Sequence, residues 1–234
     1  DVPVYSMTGQ QVATMKIDES SLGGTLNADL IKQAYVRYHA NLRQGSARTK
    51  NRHQVEGSTR KIYKQKGTGS ARHGDRKANL FKGGGHGHSK KREREHFRLD
   101  MPKKMRRKAN RNAFLAKLVD HEVRVVDSIA FNEPKTKAFQ AFLAALKIDA
   151  TALVALPHDL DASKNARLSG RNVDGVTLIP APQLNCFEML NHRYLVISRA
   201  DLEAWLNGPT SQTGKMAKIN PLGAMKEAGS AATA

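Results

Sequence analysis

Between Arg43 and Asp100 the chain shows neither a helical nor a strand period for nearly sixty residues. Unstructured connections inside compact domains rarely exceed ~12–15 residues, so a stretch this long is either functional or disordered. Its centre, KQKGTGSARHGDRKANLFKGGGHGH (Lys64–His88), holds only Leu80 and Phe81 as large apolar side chains and cannot build a core. Its charge is equally one-sided. From Arg43 to Lys108 stand 22 of the 39 Lys and Arg residues but only 5 of the 21 Asp and Glu, which is +17 of the net +18. The rest of the chain is close to neutral. A near-neutral domain therefore carries one intensely basic insert, and a polyanionic partner is the way to offset its self-repulsion.

With 234 residues there is room for one sizeable domain plus an extension. Cys186 is the only cysteine, which excludes an intramolecular disulfide and an all-cysteine metal site and suits a reducing compartment. No apolar run approaches the ~20 residues that a membrane span requires. The opening DVPVYSMTGQ lacks the charged-then-apolar layout of a secretory signal. A soluble cytoplasmic protein without membrane contact is the expectation.

Outside the insert, regular periods return. VPVYSMTGQQVATMKID reads as a hairpin turning at Thr8-Gly9-Gln10. ADLIKQAYVRYHANL places Leu30, Ile31, Ala34, Tyr35, Tyr38 and Leu42 on one helical face, predicted to be core. In DMPKKMRRKANRNAFLAKLVD, Asp100 suits a cap and Pro102 a first turn, with Met105, Ala109, Ala113, Ala116 and Val119 at helical spacing. VRVVD (123–127), TALVALP, GVTLIP and YLVIS read as strands. Helices are predicted in PKTKAFQAFLAAL, burying Ala138, Phe139, Phe142, Leu143 and Leu146, and in ASKNARLSG, QLNCFEML and RADLEAWLN. Continuous apolar strands alternating with helices imply an α/β fold, a mostly parallel sheet flanked by helices. The expected division is a globular domain from 1–42 and 101–208, the basic loop 43–100 inserted into it, and a tail 209–234.

Several chemistries fit the insert poorly. GTGSAR departs from a dinucleotide-binding glycine fingerprint, and in GSARHGDR Asp75 stands where a phosphate loop needs lysine. His86 and His88, with His73 and His96 nearby, lack a cysteine, and the surrounding cations disfavour a divalent ion. Glu93 and Glu95 sit in a cationic run and read as local ion-pair partners. His158, Asp159 and Asp161 follow a predicted strand, but no nucleophile accompanies them, so a solvated loop is expected. No catalysis, cofactor or metal is expected. Nucleic acid remains: Arg and Lys neutralise phosphate, glycine backbones approach it closely, and Tyr63, Phe81 and Phe97 are available for stacking. Without a groove-reading motif, the insert is expected to read the shape of folded RNA.

RQGSARTKNRHQVEGSTRKIYKQKGTGSARHGD resembles the large-subunit ribosomal protein four family, bacterial type. The likeness continues in FKGGG, MPKKMRRKA, PKTKAF and NARLSGRNVDGV and runs from about Val2 to Leu206. It lapses at HGHSKKREREHF, where the family commonly has a Gly-Pro step. The resemblance implies a structural constituent of the large ribosomal subunit that binds 23S-type rRNA. Its long loop would reach the wall of the nascent-peptide exit tunnel beside a second constriction protein, with the nascent peptide passing by. Under that likeness, Ser58 to Gly69 is the loop tip, and Arg60, Lys61, Tyr63, Lys64 and Lys66 are tunnel-proximal. The RNA-binding cations are Arg43, Arg48, Lys50, Arg52, Arg60, Lys61, Lys64, Lys66, Arg72, Arg76, Lys77, Lys82, Lys90, Lys91 and Arg92. Lys103, Lys104, Arg106 and Arg107 extend the set into the following helix. Gly67, Gly69, Gly74, Gly83, Gly84 and Gly85 are the positions of backbone approach to phosphate. An organellar ribosome, and an extraribosomal RNA-binding regulator of translation or transcription, stay open as alternatives. The free chain is expected to keep its sheet domain folded while 43–100 stays mobile.

Overall fold

A computed structural model of the chain describes residues 1–90 and 97–210. The expectations placed on Lys91, Arg92, Glu93, Glu95, His96 and the tail from 211 onward lie outside the described residues. By their backbone contacts the described residues divide into two compact units, one formed by 1–39 and 100–210, the other lying within Ala40–Leu99.

The first unit is built on six strands: β1 (Val2–Tyr5), β2 (Gln11–Met15), β3 (Val123–Val126), β4 (Ala152–Leu156), β5 (Val176–Pro180) and β6 (Tyr194–Ser198). They form one sheet in the order β2-β1-β3-β6-β4-β5. Only the β1–β2 pair is antiparallel; the rest run parallel, with Val4 beside Val125, Val125 beside Ile197 and Val154 beside Val196. The hairpin is closed by Ser6 N donating to Gln10 O at 2.8 Å and Gly9 N to Ser6 O at 3.0 Å. Gly9 takes φ +83°, and an added Cβ there would fall on the Ala145 carbonyl, so this turn requires glycine.

Among the described residues six α-helices flank the sheet: α1 (Ala28–Leu42), α2 (Lys103–Val119), α3 (Thr136–Ala145), α4 (Leu160–Gly170), α5 (Cys186–Asn191) and α6 (Arg199–Asn207). The two-residue period of the strands splits the core into two. Leu153, Ala155, Leu195 and Ile197 meet Ile31 and Ala34 of α1, Phe114 of α2, Met189 of α5 and Trp205 of α6. Val154, Leu156 and Val196 point the other way, onto Phe139, Phe142 and Leu143 of α3 and Ala166 of α4. Every residue of β4 and β6 is buried, as their unbroken apolar runs require. Cys186 is fully buried in the first cluster, and burial pushes its thiol up to about 12.

Helix starts follow local capping chemistry. The Ser198 hydroxyl accepts from Asp201 N at 3.1 Å and donates to the Asp201 carboxylate at 2.6 Å, opening α6. Asn185 caps α5 by accepting from Glu188 N at 3.1 Å. Asp159 accepts from Asp161 N at 3.1 Å, so α4 starts two residues before the predicted Ala162. His158 and Asp159 lie in an exposed loop, as expected, while Asp161 falls in the first turn of α4.

Three predicted core faces need correction. Leu42 is 47% exposed at the last residue of α1, while Ile31, Ala34 and Tyr38 are buried. Ala138 of α3 lies at the surface, beside the buried Phe139 and Phe142. In α2, Met105 and Val119 are 38% and 58% exposed, although Ala109 and Ala113 are buried. The buried arc of α2 instead takes in Asn110, Asn112, Phe114, Leu115 and Lys117. The cause is the polar work done there. Asn112 accepts from Asn27 N at 2.6 Å and donates to Thr25 O at 2.7 Å. Asn110 accepts from Cys186 N at 3.0 Å and donates to Thr210 O at 2.7 Å. Lys117 donates to Glu122 at 2.5 Å and to Arg193 O at 2.9 Å. Asn110, Asn112 and Lys117 are thereby each partnered, and an apolar-only count of the helix misses the arc. Pro102, not Asp100, takes the cap position of α2, with Arg106 N donating to Pro102 O at 3.1 Å.

Phe139 carries much of the α3–α4 layer. It is fully buried against Phe131 and Phe142, and an added Cβ on Gly170 of α4 would stand 2.7 Å from its ring. Phe139→Ala is therefore expected to cost about 3–5 kcal/mol, read from the urea midpoint of the full chain. A loss below ~1 kcal/mol would mean that α4 collapses onto the space.

Candidate nucleic-acid interface

The second unit has no strand, and beyond the end of α1 no helix, among its described residues. Some of its backbone polar groups pair across distant parts of the insert. At the base, Asn41 donates to Leu99 O at 3.2 Å and accepts from Leu99 N at 2.9 Å, tying the outgoing arm to the returning one. The Arg43 guanidinium lies 3.8 Å from the centre of the Phe97 ring. Phe97, predicted as a free stacking group, is thus engaged by a cation of its own chain, which the polarity of an aromatic face favours.

Further out the arms meet again. Thr49 N donates to Lys90 O at 3.1 Å, Lys90 N to the Thr49 hydroxyl at 2.7 Å, and His86 N to Lys50 O at 2.9 Å. Gly85 is buried at this crossing and donates to Lys77 O at 3.0 Å. A Cβ on Gly85 would fall on the backbone of Arg52, and one on Gly84 on the Ala78 carbonyl. These two glycines let the insert's own backbones pass closely. Gly67, Gly69 and Gly83 differ: each has φ between +65° and +82°. Gly69, Gly74 and Gly83 have open space where a Cβ would be.

At the tip, Ile62 N donates to Gly74 O at 3.0 Å, and Lys61 Nζ donates to Gln65 Oε1 at 2.9 Å and His73 O at 3.2 Å. The Tyr63 hydroxyl donates to Ala71 O. Tyr63 and Phe81, predicted like Phe97 to be open for stacking, both contact the His73 ring. The spacing 63, 73, 81 offers no period from which this could be read; only the folded-back chain brings them together.

The predicted cations mostly face solvent. Arg43, Arg48, Lys50, Arg52, Arg60, Lys61, Lys64, Lys66, Arg72, Arg76, Lys82 and Lys90 are exposed, and Lys77 is half-buried. Lys103 and Lys104 are exposed at the start of α2, and Arg106 and Arg107 are half-buried. Cations at a helix N-terminus oppose the helix dipole. The ion pairs Lys117–Glu122, Arg193–Glu122, Lys135–Glu133 and Arg199–Glu203 all lie in the sheet unit. Arg48, Lys50, Arg52, Arg60, Lys64, Lys66, Arg72, Arg76 and Lys82 have no carboxylate partner among the described residues.

His86 turns Nδ1 to the neighbouring Gly87 O, and no group of three metal-ligating side chains occurs among the described residues. A groove of about 620 Å³ in the sheet unit is lined by Met7, Phe131, Ala138, Ala141 and Phe142, with Glu133 and Lys135 on its edge. Those two charges pair with each other at 2.6 Å, and the lining residues include no nucleophile beside a base. No helix among the described residues is long and apolar enough to cross a membrane.

The family model described as the ribosomal protein L4/L1 family matches residues 15–207. Among curated proteins, the large ribosomal subunit protein uL4 of Dehalococcoides mccartyi is 40% identical over 198 residues, covering 85% of this chain and 92% of its own. The protein of the same name from Desulfatibacillum aliphaticivorans is 36% identical over 203 residues, covering 87% and 96%.

The two kinds of glycine separate by substitution. Gly85→Ala should displace the amide resonances of residues 50–52 and 77–86 in the full-length chain, because Arg52 backbone would have to move. Gly74→Ala, with free space and no positive φ, should shift only its immediate neighbours. Equal spectra for the two variants would refute the crossing at Gly85.

Proposed function

The chain belongs to the ribosomal protein L4/L1 family, whose members are structural constituents of the large ribosomal subunit, and on that basis we propose that it binds large-subunit rRNA through its basic insert. In this reading residues 1–42 and 101–208 anchor the two ends of loop 43–100. The insert lines part of the nascent-peptide exit tunnel, with Arg60, Lys61, Tyr63, Lys64 and Lys66 nearest to it. The other tunnel-constriction protein is a neighbour, and the nascent peptide a passing contact. The family is structural rather than catalytic, and the chain acts by neutralising phosphate charge so that crowded rRNA segments can approach one another.

One observation carries the proposal: exposed cations without carboxylate partners among the described residues, from Arg48 to Lys82, on a backbone that closes on itself. A purely structural ion network would pair these charges within the chain. Unpaired, they gain most from releasing the counterions condensed on RNA. The two cations at the start of α2, Lys103 and Lys104, would extend the same surface toward phosphate.

If about ten of these cations meet phosphate, the logarithm of the affinity for a large-subunit rRNA transcript should fall with log salt with a slope of about −7 to −9. A slope of about −2 would show that the insert is not the main contact. In cell extracts the chain should sediment with the large subunit through high-salt washing. Recovery only at the top of the gradient would favour the extraribosomal regulator instead.

A further inference from the structure

The insert leaves the last turn of α1 and returns through Leu99, and these two ends are bound to each other. Arg43 N donates to Ala40 O at 3.1 Å, so helical turning carries on to the first residue of the insert. Asn41, half-buried on that turn, accepts from Leu99 N at 2.9 Å and donates to Leu99 O at 3.2 Å. A side-chain amide holds both a donor and an acceptor, so it can pair with both polar groups of one residue, as a neighbouring strand would. Asn41 and Leu99 stand 58 positions apart, and their bonds close the whole insert into a loop. Beside them the Arg43 guanidinium covers one face of Phe97, 3.8 Å from the ring centre. A cation just past the C-terminal end of α1 also has the sign that the helix dipole favours.

We propose that Asn41, Arg43 and Phe97 are positioning residues: they form a neck that holds the two ends of the insert together whether or not RNA is bound, and RNA shapes the chain between them. This rests on the RNA-binding reading above and deepens it, by setting the Arg43–Phe97 pair apart from the residues that meet phosphate and bases. For Phe97 to stack on a base through the face that Arg43 covers, the cation would have to leave. The contribution to binding is entropic. Closing a loop costs more as the loop lengthens, and a neck already closed removes that cost from the RNA-binding step. Cations on the outgoing and returning arms then start from one root, which restricts the separations they can take up.

The test uses the full-length chain and a large-subunit rRNA transcript. The neck lies at the surface, with Leu99 44% exposed, so substitution there leaves the folded sheet unit in place. Without RNA, the Leu99 amide should exchange with solvent about tenfold more slowly than a free peptide amide, and Asn41→Ala should return it to the free rate. With the transcript, Asn41→Ala should bind about fivefold more weakly at an unchanged salt slope, since no cation is lost. Arg43→Gln and Phe97→Leu should each weaken binding about threefold, and the double variant no more than either alone, because the two side chains make one contact. Phe97→Tyr keeps the ring face and should bind like the wild type. An unprotected Leu99 amide in the free chain overturns the neck, and so does Asn41→Ala binding as tightly as wild type. Losses that multiply in the double variant overturn it as well, since each residue would then meet RNA on its own; so does Phe97→Tyr binding as weakly as Phe97→Leu. A wild-type chain that does not bind the transcript overturns the RNA reading and the positioning role with it, which is distinct from a wild type that binds no better than its variants.

Discussion

Mutual repulsion among the cations between Arg43 and Lys108 is the constraint under which this chain folds. Two unit charges about 7 Å apart in water repel by only about 0.6 kcal/mol, and beyond ~8–10 Å salt screens most of that. Each pair is thus a weak opponent, comparable to one net hydrogen bond at about 0.5–1.5 kcal/mol. Their number decides. Concentrating them between Arg43 and Lys108 leaves the rest of the chain close to neutral, where ion pairs such as Lys117–Glu122 and Arg199–Glu203 answer local charge.

The two units are held together by different physics. In the sheet unit, stability comes from apolar area split between two faces, with Leu153 and Ile197 on one and Val154 and Phe139 on the other. The insert has no comparable area to bury. It relies on backbone bonds between distant residues, on close backbone crossing at Gly84 and Gly85, on the Arg43–Phe97 contact, and on the Tyr63 and Phe81 rings against His73. Such contacts suffice to give a direction to the chain without making it rigid throughout. That combination suits a segment shaped to enter folded RNA, whose phosphates supply the missing favourable term.

Much of the architecture was legible in the residues. The unbroken runs in β4 and β6 could only be strands buried on both sides. The candidate site was legible as charge and not as shape. Arg48 to Lys82 were recognisable as exposed cations, and the likeness around KQKGTGSARHGD pointed to a ribosomal family that the comparisons bear out. What stayed hidden had no period. Asn110 and Asn112 look like surface positions until Thr25, Asn27, Cys186 and Thr210 are brought beside them. Tyr63, His73 and Phe81 look like three separate solvent-facing rings until the backbone turns back at Gly67 and Gly69.

By itself, then, the order of amino acids determined everything that depends on near neighbours: strand and helix periods, caps, the turn at Gly9, and where the charge accumulates. Those follow from local sterics and solvation, which a short window already contains. Tertiary structure alone decided which polar groups are buried on α2, that Gly84 and Gly85 serve a crossing of the chain with itself, and which aromatic rings are already occupied. Each of these is a contact between residues far apart along the chain, and its existence depends on the path of the backbone between them.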